Sequence, residues 1–252
     1  MTVLITRPDP EGSELCRALT YQGISAIHQP LLTREAGEDL KQSVKQLLTL
    51  TDNDIVLAVS QHAVSYTDQQ LKSQNLTWPT TINYFAVGQK SAQHLEQVTQ
   101  QSVHYPKTSD SEHLLALPNL QQPHVSGKRV LILRGNGGRE LIYHTLSERQ
   151  AQVRYAEVYR RKWLKLNAKE LHQHWTNQQV NCIVVTSAEQ LSFMTNLFSQ
   201  HQQQWLLRCK LLVPSHRIVL HAQQLGYNNI INVGSATNSA MLTLLSNQQQ
   251  IQ

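Results

Sequence analysis

An internal repeat at a spacing of 127 residues runs through this chain and limits the folds that it can adopt. VLIT at residues 3–6 aligns with VLIL at residues 130–133. DIVLAVSQHAV from Asp54 aligns with NCIVVTSAEQL from Asn181, and FAVGQKSAQHL aligns with LLVPSHRIVLH at the same spacing. Because three segments share one offset, the chain consists of two related halves.

Each repeated segment has the pattern of a βα unit. A short apolar run rich in β-branched residues leads into a turn with Gly, Ser or Pro, and then into a segment of helical period. This alternation predicts an α/β fold with two similar doubly wound parallel-sheet domains. We expect strands near Val3, Ile24, Ile55, Ile82 and Val103 in one half and near Val130, Val153, Cys182, Leu211 and Ile230 in the other.

The repeat leaves open how the two halves are assembled into domains. Two consecutive domains satisfy the strand alternation, and so does a chain in which the first unit of each half crosses into the other domain. The segments that would carry such a crossover are residues 29–35, QPLLTRE, and residues 157–162, EVYRRK. Both are short, partly extended and charged at one end.

Composition favours an acidic ligand and excludes several classes of protein. The formal net charge is +5, so the average field attracts anions, but the basic residues are spread along the chain without a Lys/Arg-rich cluster. A small multiply charged ligand therefore fits, and we expect no nucleic-acid partner. No apolar run reaches the roughly 18 residues of a membrane span, and the N-terminus lacks a signal-peptide pattern, which predicts a soluble, cytoplasmic protein with no membrane partner.

Ligands of parallel α/β sheets collect beyond the carboxyl ends of the strands, where the βα turns converge. In this chain those turns carry hydroxyls, glycines and bases, with only scattered acids, which is typical of an anion-binding cleft rather than of a metal or acid/base site. The candidate binding residues are Arg7, Ser60, Gln61, Gly88, Gly135, Asn136, Gly137, Gly138, Arg139, Thr186, Ser187, Ser215 and Arg217.

The glycine-rich turn in LILRGNGGREL is the most specific of these segments. A nucleotide P-loop requires Lys-Ser/Thr after its second glycine, and this chain has Arg139-Glu140 there. The dinucleotide fingerprint has Gly135 and Gly137 but Glu140 in place of its third glycine, although Glu157 lies where a ribose-binding acid would stand. The dinucleotide hypothesis and a purely structural turn stay open beside an anion-binding turn.

Metal and hydrolase chemistries have less support. His172 and His174 are two residues apart, so on a helix they do not share a face, and we expect no metal site. No G-x-S-x-G elbow is present, and Ser60 and Ser187 are better explained as helix caps than as nucleophiles.

The segment VLILRGNGGRELIYHTLSERQAQVRYAEVYRR closely resembles one part of the uroporphyrinogen-III synthase family, in which a strand, an R-G-x-G-G-R-E turn, a helix and an E-V-Y-R-R segment follow in this order. VLITRP, AVSQHAV, FAVGQKSA, VVTSAEQL and SHRIVLHAQQLGY look like other recurring pieces of that family. The resemblance covers essentially the whole chain. Each segment alone matches the family only loosely, but the occurrence of all the segments in the family's order is specific.

The resemblance implies two α/β domains joined by a two-stranded linker, with the active site in the interdomain cleft. It favours the crossover, in which the N-terminal unit completes the domain formed by the C-terminal third. The implied domains are residues 1–33 with 163–252 and residues 34–162, with linkers at about 29–35 and 157–162.

The resemblance also implies a reaction. The family cyclises hydroxymethylbilane, a linear tetrapyrrole with eight carboxylates, to uroporphyrinogen III, with loss of water and inversion of ring D. A cofactor-free lyase of tetrapyrrole (haem) biosynthesis follows, working as a monomer, with transient contact to the preceding pathway enzyme left open. Tyr159 in EVYRR matches the family tyrosine suspected of protonating the departing hydroxyl, so it is the candidate catalytic residue; an interdomain packing role is the alternative. The glycine turn would offer backbone donors to propionate or acetate groups.

A second class of function is also consistent with the sequence. A two-domain protein that clamps an anionic ligand without chemistry would show the same turns and the same charge.

Overall fold

The computed structural model describes residues 1–249, which form two compact α/β units. The first unit contains Met1–Thr33 and the chain from Lys162 onward, and the second unit is Arg34–Arg161. None of the helices in this described part of the chain is both long and apolar enough to cross a membrane.

The strands lie where the apolar runs predict them. They are β1 (Thr2–Ile5), β2 (Ser25–His28), β3 (Leu32–Ala36), β4 (Ile55–Ala58), β5 (Asn83–Ala86), β6 (Val103–His104), β7 (Arg129–Gly135), β8 (Gln152–Trp163), β9 (Val180–Val184), β10 (Lys210–Val213) and β11 (Ile230–Asn232). Each of the ten predicted strand positions falls inside a strand or directly before one. The additional strand, β3, lies in the predicted crossover segment QPLLTRE.

Helices follow almost every strand. They are α1 (Glu11–Tyr21), α2 (Leu40–Leu48), α3 (Gln61–Ser73), α4 (Gln89–Thr99), α5 (Ser111–Leu115), α6 (Gln122–Val125), α7 (Leu141–Glu148), α8 (Ala168–Asn177), α9 (Ala188–Leu197), α10 (Gln200–Arg208), α11 (His216–Gln224) and α12 (Asn238–Gln249). The predicted caps are confirmed: the Ser60 and Ser187 side chains accept hydrogen bonds from the third residues of α3 and α9.

The two sheets have the same strand order once the repeat is applied. In the first unit the order is β11-β10-β9-β1-β2, and in the second it is β6-β5-β4-β7-β8, extended by β3. The strands β1 and β2 of the first half therefore pair with β9 to β11 of the second half, and β7 and β8 pair with β4 to β6. The chain thus crosses between the two units, and β3 and β8, which carry it across the unit boundaries, are neighbouring strands.

The repeat extends to the hydrogen-bond register. Thr2 lies opposite Ser25 in the parallel pair β1–β2, and Arg129 lies opposite Gln152 in the parallel pair β7–β8, so both partners are shifted by 127 residues. The same shift relates β1–β9 to β7–β4, β9–β10 to β4–β5, and β10–β11 to β5–β6. The two halves of the chain thus show the same strand pairing, although the first two strands of each half lie in the sheet formed by the rest of the other half.

Each sheet is covered by helices on both faces. Along β4, Ile55 and Leu57 pack into one apolar cluster, and Val56 and Ala58 pack into another on the opposite face. Strand β1 in the first unit alternates between two clusters in the same way. Burial on both faces explains why these strands are continuous apolar runs, and it confirms the doubly wound fold class.

Candidate functional site

The candidate site is a cavity of about 280 Å³ in the second unit, at the carboxyl ends of its central strands. Its wall comes from the residues that follow β4 and β5, from the end of β7 with the turn after it, and from β8. The lining residues are Val59, Ser60, Val87, Ser111, Ile132, Arg134, Gly135, Gly137, Gly138, Arg139, Ile142, Tyr155, Tyr159 and Arg161. The position agrees with the general rule for ligand sites in parallel sheets.

The turn between β7 and α7 needs its glycines. Gly137 and Gly138 have φ angles of +91° and +120°, a region that side chains rarely adopt. Asn136 fastens the start of the turn to β8: its amide Nδ2 donates to the Arg161 carbonyl at 3.1 Å, and its Oδ1 accepts from the Arg161 N–H at 2.7 Å. The turn is therefore held in a conformation of its own and not continued as a helix.

Tyr159 lies against this turn. Its side chain is 6% exposed, and its backbone carbonyl accepts a hydrogen bond from the Asn136 N–H at 3.2 Å. The Ser60 hydroxyl accepts from the Ala63 N–H at 3.2 Å and donates to the Tyr159 hydroxyl at 3.3 Å. No residue in the described part of the chain accepts a hydrogen bond from the Tyr159 hydroxyl, so its proton is available to a ligand in the cavity.

Two rings of α3 fix the orientation of the Tyr159 ring. Tyr66 stacks on it with ring centroids 5.8 Å apart, and His62 meets it edge-on at 6.0 Å. Burial raises the pKa of Tyr66, so this neighbour stays neutral beside the site. Both contacts are of the geometry that aromatic pairs prefer.

Arg134 supplies a buried positive charge beneath the cavity. Its side chain is 9% exposed, and its Nη1 donates to Glu140 Oε1 at 3.0 Å. The guanidinium lies 4.2 Å from the centroid of the Tyr155 ring, and Nε donates to the Gly135 carbonyl at 3.2 Å. Burying a cation is costly unless it is paired, and here an ion pair, a carbonyl and an aromatic face share that role.

A second ion pair lies at the rim of the cavity. Arg139 donates to the Glu112 carboxylate through both terminal nitrogens, at 2.9 and 2.5 Å, and both side chains are more than half exposed. The hydrogen bonds from Arg139 lower the pKa of Glu112. Because the pair is exposed, a carboxylate ligand can compete with Glu112 for Arg139 at little cost.

The chemistry of the cavity is anion binding beside a phenol. Three arginines line the cavity, and the glycines of the turn expose backbone to it. The apolar part of the cavity wall is formed by Val59, Val87 and Ile132. Among residues 1–249, no cluster of three or more His, Cys, Asp or Glu side chains is arranged to hold a metal ion.

Six of the predicted site residues line this cavity: Ser60, Gly135, Gly137, Gly138, Arg139 and Tyr159. Three predicted residues of the same unit lie outside its wall. Asn136 binds the backbone of β8, Gly88 is the N-cap of α4, and Gln61 is the first residue of α3. Glu157, the alternative ribose-binding acid, is also outside the wall and accepts hydrogen bonds from Arg160.

The other predicted residues belong to the first unit, at the carboxyl ends of its strands. Arg7 donates to the Ala236 carbonyl at 2.8 Å and to Asn238 at 2.6 Å. Thr186 contacts the side chain of Gln190. The remaining three are Ser187, the N-cap of α9, Ser215, the N-cap of α11, and Arg217, an exposed residue in the first turn of α11. Their roles stay predictions.

Sequence reasoning did not include Arg134, Tyr155, Arg161 or Ser111 in the site. Arg134 immediately precedes the glycine turn, and its repeat partner Arg7 was included, so the repeat itself was the available signal. Tyr155 had no such signal. Its place depends on how β8 pairs with β7, where Tyr155 lies opposite Ile132.

Known proteins resemble this chain along nearly all of its length. The family model of uroporphyrinogen-III synthase HemD matches residues 13–243. The uroporphyrinogen-III synthase of Escherichia coli is 42% identical over 247 residues, which is 97% of this chain and 100% of that protein. The enzyme of the same name from Proteus mirabilis is 40% identical over 192 residues, covering 76% of this chain and 96% of that protein.

Solved structures agree on the fold. A crystal structure of a mutant uroporphyrinogen III synthase from the bacterium Thermus thermophilus covers 99% of both chains, with a TM-score of 0.64 at 16% identity. The uroporphyrinogen-III synthetase of Helicobacter pylori covers 98% of both chains, with a TM-score of 0.58 and 16% identity. With a family model over most of the chain and a relative at 42% identity, the family resemblance is confirmed, and this chain belongs to the uroporphyrinogen-III synthase family.

Proposed function

We propose that this chain cyclises hydroxymethylbilane to uroporphyrinogen III, with loss of water and inversion of ring D, as a cofactor-free lyase of tetrapyrrole biosynthesis. The observation that carries the proposal is the cavity of the second unit, where a glycine turn, three arginines and the Tyr159 hydroxyl converge. These groups match a substrate that carries many carboxylates and loses a hydroxyl.

The cavity size indicates how much of the substrate it holds. A volume of about 280 Å³ is just below the roughly 300–1,000 Å³ of small-molecule pockets, so the cavity accommodates a part of a tetrapyrrole and not the whole. One pyrrole ring with its acid side chains fits this description. The apolar part of the cavity wall would meet the ring face, and Arg139 with the turn amides would meet the acid groups.

Tyr159 is the proposed proton donor to the departing hydroxyl of hydroxymethylbilane, which leaves from the hydroxymethyl group on the terminal pyrrole opposite ring D. Because Ser60 donates to Tyr159, the phenolic oxygen is oriented with its own proton directed away from Ser60. Loss of water leaves an electrophilic azafulvenium at that end of the bilane. The substituted carbon of ring D attacks it to give a spiro intermediate, which rearranges with inversion of ring D and then loses a proton. Proton donation in the transition state is where a positioned side chain contributes to rate.

Selection of the III isomer is a matter of conformation. The uncatalysed bilane closes at the unsubstituted carbon and gives the I isomer, so the protein has to hold the chain in the geometry that favours the other closure. A tenfold preference requires only about 1.4 kcal/mol of differential transition-state binding. Several weak carboxylate contacts are sufficient for this, and we propose that Arg7, Thr186, Ser187, Ser215 and Arg217 of the first unit supply others.

We propose that the protein works in the cytoplasm as a monomer, on a substrate released by the preceding enzyme of the pathway.

Product analysis tests the function directly. The purified protein is incubated with freshly prepared hydroxymethylbilane, the products are oxidised to porphyrins, and the I and III isomers are separated by chromatography. Formation of the III isomer in proportion to protein concentration is the expected result. If only the I isomer forms, at the rate of the protein-free control, the chain binds an anion without catalysis and the proposal is wrong.

A further inference from the structure

Glu140 carries a negative charge beside a cavity proposed to bind a polyanion. The residue lies immediately before α7, after the glycine turn, and its side chain is 51% exposed. On charge alone, a carboxylate at this place repels the substrate and weakens binding. A structural role for the Glu140 carboxylate would explain why a repelling charge is present there.

Both oxygens of this carboxylate are occupied by residues from two strands. Oε1 accepts from Arg134 Nη1 at 3.0 Å, and Oε2 accepts from the Tyr155 hydroxyl at 2.7 Å. These hydrogen bonds, from Tyr155 first and then Arg134, lower the pKa of Glu140 and keep it ionised. Glu140 therefore joins β7 to β8 at the base of the turn.

The two partners of Glu140 contact the turn itself. Arg134 Nε donates to the Gly135 carbonyl at 3.2 Å, and Arg134 Nη2 lies 3.4 Å from the position of a Cβ on Gly138. The Tyr155 ring covers the other side of the guanidinium. The turn thus lies against a guanidinium that Glu140 helps to hold, since no other carboxylate among residues 1–249 pairs with Arg134.

We propose that Glu140 is a positioning residue: through Arg134 and Tyr155 it holds the turn from Gly135 to Arg139 in the conformation that receives a substrate carboxylate. Glu140 is not part of the cavity wall, so it acts without touching the ligand. This inference rests on the proposed function for the identity of the ligand, and it adds a residue to which neither the family resemblance nor the composition of the turn assigns a role.

A positioning role and simple charge repulsion predict opposite changes in the KM of the Glu140→Gln variant. Glu140→Gln removes one negative charge, which by repulsion alone would tighten substrate binding. A glutamine amide also has only one acceptor oxygen and places an NH2 group against one of two donors, so the network opens and the turn loosens. If the turn binds the carboxylate equally in the ground and transition states, KM rises by about fivefold or more while kcat changes by less than about twofold.

Two matched variants separate the explanations. Glu112→Gln removes the same charge at the rim, where it frees Arg139, so its KM should fall. Glu148→Gln removes the same charge from the exposed far end of α7 and should leave KM unchanged. A higher KM for Glu140→Gln beside a lower KM for Glu112→Gln supports positioning, whereas a KM for Glu140→Gln that is unchanged or lower overturns it.

A second readout does not depend on catalysis. In ¹⁵N-labelled protein, the amide resonances of Gly135, Gly137 and Gly138 should shift in Glu140→Gln and stay in place in Glu148→Gln. Unshifted turn resonances in a folded Glu140→Gln variant would refute the inference, even if the wild-type protein proves to be the synthase. A wild-type protein that makes no III isomer, with shifted turn resonances in the variant, would instead refute only the proposed function.

Discussion

The ring of Tyr159 occupies the space beside Gly135 in which any other residue would place its Cβ. A Cβ built on Gly135 lies 2.5 Å from Tyr159 Cζ, well inside the contact distance of two carbon atoms. The two residues are opposite each other across the β7–β8 pair, directly after the bulge. Glycine is therefore needed at position 135 because it leaves room for the Tyr159 ring, and not because of its backbone conformation.

Gly135→Ala is expected to displace Tyr159 and reduce both stability and activity. Overpacking of this kind costs about 1–3 kcal/mol of the free energy of unfolding. Urea denaturation and steady-state kinetics measure the two effects. A double-mutant cycle with Tyr159→Leu provides the control, because the shorter side chain relieves the clash and Gly135→Ala should then cost less. Additive costs would show that the two residues do not compete for space.

Tyr159→Phe is expected to lower kcat by roughly 100-fold, because it removes the proposed proton donor and keeps the ring packing. The melting temperature should stay close to that of the wild type. Tyr66→Phe is the matched control, since its ring stacks on Tyr159 but lies outside the cavity wall. Full activity of Tyr159→Phe would remove the phenol from the mechanism.

The fold was predictable from the sequence because parallel strands are buried on both faces and leave apolar runs of a recognisable length. The alternation of apolar runs and helical segments then located all the strands except β3. The crossover was not derivable from the pattern of residues, since both assemblies place the same segments in the same order along the chain. The pairing of β1 with β9 depends on contacts between residues about 180 positions apart, and only the family resemblance indicated it.

The site was predictable where backbone conformation dictates the residue type. Gly137 and Gly138 have positive φ angles, which favour glycine, and the two glycines therefore mark the turn in the sequence. The network of Arg134, Glu140 and Tyr155 left no such mark, because its members come from two strands and a helix start and meet only in the folded register. In the sequence, Glu140 was visible as a residue that departs from the nucleotide-binding motifs and as the last residue of the family's R-G-x-G-G-R-E turn. Neither pattern indicated its hydrogen bonds to Arg134 and Tyr155.

Gly138→Ala is expected to weaken substrate binding. At φ +120° a side chain costs of order 1–3 kcal/mol, so the turn would adopt another conformation. KM for hydroxymethylbilane should rise. Gly23→Ala, with φ +75° and open space around its Cβ, is the control for backbone strain in the first unit. It should lower stability without changing KM, and an equal effect of both variants on KM would contradict a binding role for the turn.

The ion pair between Asp54 and Arg129 predicts a pH dependence of stability far from the glycine turn. Asp54 is 7% exposed, and it accepts hydrogen bonds from the Arg129 N–H at 3.0 Å, from Arg129 Nε at 2.8 Å and from the Thr51 N–H at 2.9 Å. Burial alone would raise the pKa of Asp54, but these hydrogen bonds and the charge of Arg129 outweigh it and lower the pKa. A carboxylate whose pKa is lower in the folded state stabilises the protein above its unfolded pKa of about 3.9, and this contribution is lost as the pH falls through the folded value.

Asp54→Asn should therefore lower the free energy of unfolding by about 1–3 kcal/mol at pH 7, because a buried charged hydrogen-bonding network loses its acceptor. The difference from the wild type should stay constant above about pH 5 and shrink below about pH 4, as the wild-type carboxyl takes up a proton first in the unfolded state and then, at lower pH, in the folded state. Urea denaturation between pH 3 and pH 7 measures the loss of stability and its pH dependence. Glu38→Gln is the control for an exposed ion pair. Glu38 is 77% exposed beside Arg160, so its pair should contribute less than about 1 kcal/mol to the free energy of unfolding. A gap between wild type and Asp54→Asn that widens as the pH falls would have the wrong sign and would show that the Asp54 carboxylate does not stabilise the folded state.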